Sequence, residues 1–342
     1  MSTKSSGTPG TAAFRLFCGL LTSLCFAFQS NAECHGQNQL AALAPETLAS
    51  LTAAVDAAPY ARGNFWRATR GDQVLTVIGT FHLDDPRHDH TMMRLGPLID
   101  VAATVLVEAG PVEEAALKQA LARDPSLMFI TDGPTLPETL PAATWDQLKT
   151  ALRARSIPPF MGAKMQPAYL SLLLGIPPCA SEMFTGTPNG LDQRIIARAA
   201  AAGVPLRALE PYDTVFSIFG AMTAEESRQM LELSLAMDAR SEDAFATMLQ
   251  SYFDEDSRMI WEYSRWQTLN TGGMDPARVN ADFATMENSM VLSRNRAWIP
   301  VIEKALNDGP VVAAFGALHL SGQDGVLSLL KQNGFTLERL VF

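Results

Sequence analysis

The chain is poor in cysteine, in histidine and in positive charge. Its 342 residues include 4 Cys, 5 His and 26 Lys or Arg against 36 Asp or Glu. With no run of Lys or Arg and a net charge of −10, the composition argues against a nucleic-acid partner, since phosphate binding needs clustered positive charge. The apolar run LFCGLLTSLCFAF at 16–28 is shorter than the about 20 residues a membrane helix requires. No H-E-x-x-H, G-x-S-x-G, P-loop Gly-Lys or C-x-x-C occurs, which removes the local signatures of zincins, serine hydrolases, P-loop nucleotidases and thiol oxidoreductases.

What is present begins with that run. Lys4 and Arg15 precede it and Ser30-Asn31-Ala32 follows, the layout of a secretory signal cleaved after Ala32. A retained anchor is the alternative. Cleavage removes two bases and no acid, shifting the net charge from −10 to −12 and leaving a mature domain over 33–342. We expect it to be exported, to the periplasm, with no membrane span. Cys18 and Cys25 leave with the signal; Cys34 and Cys179 remain. In an oxidising compartment they are expected to form one disulfide tying the tail to the body, since Cys34 lies in a polar stretch where burial is rare. Two separate buried thiols are the alternative.

The rest reads as one α/β domain, a mostly parallel or mixed sheet flanked by helices with a helical middle insertion. Residues 40–58 have amphipathic helix spacing. Residues 64–70 and 73–80 form a hairpin around Gly71-Asp72. A helix over 87–102 leads into a strand at 103–110, a β–α–β rhythm that favours parallel pairing. The middle, 111–180, is helical and proline-punctuated. GLDQRIIARAAAAG (190–203) is a helix ending in Gly, followed by a strand over 204–211. Helical stretches over 223–270 and 276–307 precede a closing strand–helix–strand.

Four of the apolar strand runs end on chemistry. VLTVIGTFH ends at His82, VLVE at Glu108, PLRALE at Glu210 and VVAAFGALH at His319. Parallel α/β sheets bind ligands beyond the carboxyl ends of their strands, so four such endings point to one site. A lone strand-end His is more often a packing residue; the repeated Gly-x-x-His phrase is what favours function. Gly79 and Gly316, three residues before each His, allow close approach of backbone or ligand where a Cβ would obstruct. A β-bulge is the bland reading.

Arg294 lies on an apolar stripe with Met286, Met290, Trp298 and Ile302, spaced by four. Buried there, it needs a carboxylate or a ligand oxyanion, the first being a structural salt bridge to a site glutamate. Lys164 in AKMQP and Asp192 in GLDQ are weaker candidates, each as readily solvated or a cap. His88 and His90, two apart in a helix, point to different faces and do not make a metal cluster with His82.

These segments carry a family resemblance. GTFHLDDPR, the LVE ending, AKMQP, GLD before a helix, LRALEP, RNRAW and GALHLSGQDGVLSLLKQNGF, in that order, resemble the TraB/GumN family from about residue 60 to the C-terminus. That family is related to the TIKI proteins, metal-dependent proteases using paired Gly-x-x-His motifs and a glutamate. The resemblance implies that Gly79, His82, Glu108, Arg294, Gly316 and His319 match family core positions. The extended middle region with Cys179 departs from the pattern.

The resulting expectation is a metal-dependent hydrolase of a peptide or related amide bond. His82, Glu108 and His319 would hold a divalent zinc, manganese or cobalt ion that activates water. Glu210 would support or act as general base, Arg294 would stabilise the oxyanion, and Gly79, Gly316 and Lys164 would meet substrate. Two alternatives keep the residues: a metal-free His/Glu hydrolase resembling the erythromycin esterases, and a non-catalytic peptide- or haem-binding protein resembling TraB-type and ChaN-type relatives.

Overall fold

The computed structural model describes residues 34–180, 189–270 and 275–342; the expected signal segment, 1–32, lies outside the described residues. The sheet has six strands: β1 (Phe65–Arg70), β2 (Gln73–Thr80), β3 (Thr104–Val107), β4 (Leu206–Ala208), β5 (Val311–Gly316) and β6 (Thr336–Arg339). Their spatial order is β4-β3-β5-β2-β1-β6. β4, β3, β5 and β2 run parallel, and β1 pairs antiparallel with both β2 and β6. The expected hairpin forms, with Gly71 at a φ of +57° in its two-residue turn, a conformation glycine adopts at little cost.

The β–α–β rhythm around residue 90 does not make neighbours of β2 and β3: β5 inserts between them. Residues Val311–Phe315 are buried throughout, as a central strand covered on both faces requires. The insertion places the two Gly-x-x-His phrases side by side, with Thr80 opposite Gly316.

Alternation along β2 sends Leu75 and Val77 to one face and Ile78 to the other. The first face is covered by helices Ser293–Ala305 and Val326–Gln332, whose Trp298, Ile302, Val326 and Leu330 share its core. The second is covered by α1 (His88–Asp100) and α2 (Leu191–Ala202), through Leu95, Ile99, Leu191 and Ile195. Each such side chain, fully buried, contributes about 1.5–3 kcal/mol relative to exposure. α2 ends at Gly203, whose φ of +71° makes it the left-handed cap expected of that sequence.

Elsewhere the helical stretches are more broken than periodicity implies. Residues 40–58 divide into a 3-10 turn Gln39–Ala42 and a helix Pro45–Asp56, whose first position suits proline because its missing N–H has no helical partner there. Residues 223–270 form three helices: Ala224–Asp238, Ser241–Phe253 and Ser257–Leu269. The middle region builds an apolar cluster of its own, Leu148, Leu152, Leu170 and Leu174 against Leu231 and Leu235. Cys34 and Cys179 form the expected disulfide, with Cα atoms 5.2 Å apart. Among the described residues no helix is long and apolar enough to cross a membrane.

Candidate functional site

The four functional endings meet at one edge of the sheet. Glu108 directly follows β3, His82 and Glu210 lie two residues beyond β2 and β4, and His319 closes a 3-10 turn, Ala317–His319, after β5. The histidines therefore stand past the strands, not in them. The point of convergence is Gly316. A Cβ there would lie 3.4 Å from Glu108 Oε1, 3.7 Å from His82 Nε2 and 3.7 Å from His319 Cδ2.

Arg294 organises the wall behind it. The long helical stretch is α-helix to Glu287, π-helix over Asn288–Leu292 and α3 over Ser293–Ala305. The π turn bonds Ser293 N–H to the carbonyl of Asn288, five residues back. In this setting the Met290 carbonyl accepts a bond from Arg294 Nη1, at 2.9 Å. Nε donates to Glu210 Oε2 at 2.8 Å, Nη2 to Glu210 Oε1 at 2.7 Å and to Glu108 Oε2 at 2.5 Å. Nη1 also lies 3.3 Å from His319 Nε2. All five guanidinium hydrogens thus have partners, so none is directed at an oxyanion. Glu210 is equally engaged, since Trp298 Nε1 adds a bond to its Oε2 at 3.0 Å.

The two imidazoles differ in kind. His319 is 6% exposed, and its Nδ1 lies 2.6 Å from Asn295 Oδ1. The Asn295 amide nitrogen donates to the carbonyls of His319 and Asp324, so its oxygen must face the ring and Nδ1 carries the proton. Nε2 then presents a lone pair. Burial, helped by Arg294 and His82 and opposed by Glu108, lowers the pKa of His319 to about 4. His82 has a side chain 58% exposed, with Nδ1 3.3 Å from Asp192 Oδ1. Desolvation and Arg294 disfavour its charged form, but Asp192 and Glu108 outweigh them and its pKa is raised. Water screens these charges at so open a ring, so the shift is smaller than a buried pair would give. Burial opposes ionisation of Glu108, yet His319, His82, Arg294 and the Gly316 N–H, donating at 2.7 Å, hold its carboxyl at about 2.

The remaining candidates lie apart or serve packing. Gly79 is buried, and its absent Cβ makes room for Leu320 and Ala317, which would stand 2.6 Å and 3.0 Å away; the close approach there is by the chain itself. Lys164 is exposed in the helical middle region, and its described bonds are main-chain ones to Ile130 and Met161. His88 is buried on the carbonyl of Leu83, at 3.0 Å, while His90 is exposed. Asn295 and Trp298 escaped sequence reasoning as site residues, although both are legible as neighbours of Arg294 on one helix.

A divalent ion would find a donor cradle at Gly316, with a neutral His319 as one imidazole of the set. The set does not fit the ion as arranged. The lone pair of His319 faces the Arg294 guanidinium, which also holds Glu108 and repels a cation. Among the described residues no three His, Cys, Asp or Glu side chains are grouped as metal ligands.

No curated protein matches the chain significantly. The family model described as TraB/PrgY/gumN matches residues 64–339, a span that takes in all six strands and the entire strand-end cluster. That span covers most of the sequence, and the chain belongs to the TraB/PrgY/gumN family.

Proposed function

We propose that this chain is an exported hydrolase of a peptide or related amide or ester bond, working by direct water activation. The observation that carries the reading is the Gly316 cradle, where an exposed imidazole and a carboxylate converge in front of a rigid, fully bonded wall. His82 Nε2 accepts a proton from water as the water oxygen attacks the substrate carbonyl carbon, and Glu108 Oε1 orients the water. The tetrahedral intermediate then expels the amine or alkoxide, which takes the proton from the His82 imidazolium. Asp192 and Glu108 stabilise the cation in between. Arg294 holds Glu108, Glu210 and His319 in place without touching substrate.

The test is turnover by the mature chain on a panel of fluorogenic peptides and chromogenic esters. Turnover proportional to protein, lowered about 10²–10⁴-fold by His82→Gln with the fold intact, supports the reading. Absence of turnover across the panel favours a non-catalytic peptide- or haem-binding protein. A metal-assisted second reading, with His82, Glu108 and His319 as holders, requires Arg294 to be displaced first. Elemental analysis of native protein beside the His82→Ala, His319→Ala double variant separates the two. A stoichiometric metal lost from the variant selects the second.

A further inference from the structure

We infer that Asp192, set against His82 by Gly190, is the positioning residue of the site: it holds the His82 ring with Nδ1 inward and Nε2 toward the cleft. The proposal deepens the hydrolase reading and rests on it only for its kinetic consequence.

The structural basis starts from the main chain. A Cβ at Gly190 would stand 2.3 Å from both the carbonyl carbon and oxygen of His82 and 2.7 Å from its Cα, so only glycine permits this contact. One residue on, the N–H of Leu191 donates to the carbonyl of Phe81 at 2.9 Å. The start of α2 is thus fastened to the two residues that carry the first histidine. Arg194, one turn further, bonds Asp84 in the same loop and Asp89 in the first turn of α1, and Asn189 Nδ2 donates to Asp84 Oδ1 at 3.0 Å. The loop has little freedom to draw His82 away from α2.

An acid in the first turn of α2 suits the helix dipole, but no described hydrogen bond uses Asp192 and it forms no cap. Its Oδ1 is buried and makes no aligned hydrogen bond, a costly condition for a carboxylate oxygen. The ion-pair neighbour of that oxygen is His82 Nδ1, 3.3 Å away. Rotation of a ring that is open on its other side shortens this to a bond, as unliganded sites commonly tighten on use. An Nδ1–H held by Asp192 leaves Nε2 as the lone pair, and Nε2 is the His82 atom beside the Gly316 position that Glu108 Oε1 also approaches. The second histidine is fixed the same way by another device, Asn295, so both rings are held through Nδ1.

The test uses mature protein labelled with ¹⁵N-histidine, whose few rings are assignable by a His82→Gln variant. On the alkaline side of its titration, wild-type His82 should be the Nδ1–H tautomer. Asp192→Ala should convert it to mostly Nε2–H, while His319 keeps its own tautomer as an internal control of the fold. Where turnover exists, Asp192→Asn should lower kcat on the order of 10²–10⁴-fold with KM little changed. An unchanged His82 signal in Asp192→Ala overturns the positioning role, whatever the activity. The expected tautomer switch in a chain without turnover upholds the positioning and defeats the hydrolase reading instead.

Discussion

Gly316, the glycine of the second Gly-x-x-His phrase, faces the imidazole of the first: a Cβ built on it would lie 3.7 Å from Nε2 of His82. The converse contact is made by Gly79, which receives Leu320 from the second phrase. The phrases are complementary because their strands pair, each glycine accommodating a residue of the other.

Substituting the two glycines should separate stability from function. At Gly316 an added methyl meets its neighbours at ordinary contact distance, so Gly316→Ala should fold normally and block the cradle. Its melting temperature should stay near wild type while turnover or ligand binding is lost. At Gly79 the methyl meets Leu320 at 2.6 Å, and overpacking of that kind costs about 1–3 kcal/mol. Denaturant unfolding of both variants distinguishes the roles; equal destabilisation would show that Gly316 is a packing residue too.

Arg294→Lys keeps the charge but cannot supply five donors in a planar fork. It should leave Glu108 or Glu210 partly unpaired and destabilise the fold. Arg294→Ala should cost more, about 3–5 kcal/mol, because removing one partner strands buried charge. If Lys and wild type unfold alike, the guanidinium serves only as a generic counter-charge.

Stability should fall with acid in a defined window. His319 has its folded pKa depressed to about 4, below the ordinary value of 6.5. The unfolded chain therefore binds the proton first. This contribution is complete above about pH 6.5 and is lost as pH falls toward 4, at up to about 1.4 kcal/mol per pH unit. Glu108, held at about 2, has the same sign, with its loss beginning below its ordinary 4.5. Unfolding free energies measured from pH 7 to 4 should show the slope, and His319→Gln should flatten its upper part.

Activity should also fall with acid, but in a higher window. His82 must be neutral to accept a proton, and its pKa is raised. The ratio kcat/KM should therefore rise with pH above 6.5 and level off only on the alkaline side. A profile already flat at pH 6 would remove His82 as the base.

Opening the disulfide between Cys34 and Cys179 releases a loop with a sequence separation of 145 residues. The paired Ser variant should be less stable by about 2–5 kcal/mol in the absence of strain. Thermal unfolding with and without reductant checks this, and a shift within error would show that the tail is held by its other contacts alone.

Periodicity and composition by themselves determined the α/β class, the Gly71-Asp72 hairpin, the helix ending at Gly203 and the four strand runs with a titratable ending. These are local consequences of side-chain alternation, apolar runs and glycine conformations. Sequence also placed Arg294 on a buried stripe, because an arginine among Met290, Trp298 and Ile302 needs a partner. It could not say which partner, nor that every donor is spent on Glu108, Glu210, Met290 and His319. Only the tertiary structure decided that β5 lies between β2 and β3, a pairing across more than two hundred residues that no local pattern encodes. From that insertion follow the opposed glycines and the convergence on Gly316. The unlike states of His82 and His319 were also invisible in two near-identical phrases, because protonation depends on what surrounds a ring: Asp192 and open solvent for one, Asn295, Trp298 and Arg294 for the other.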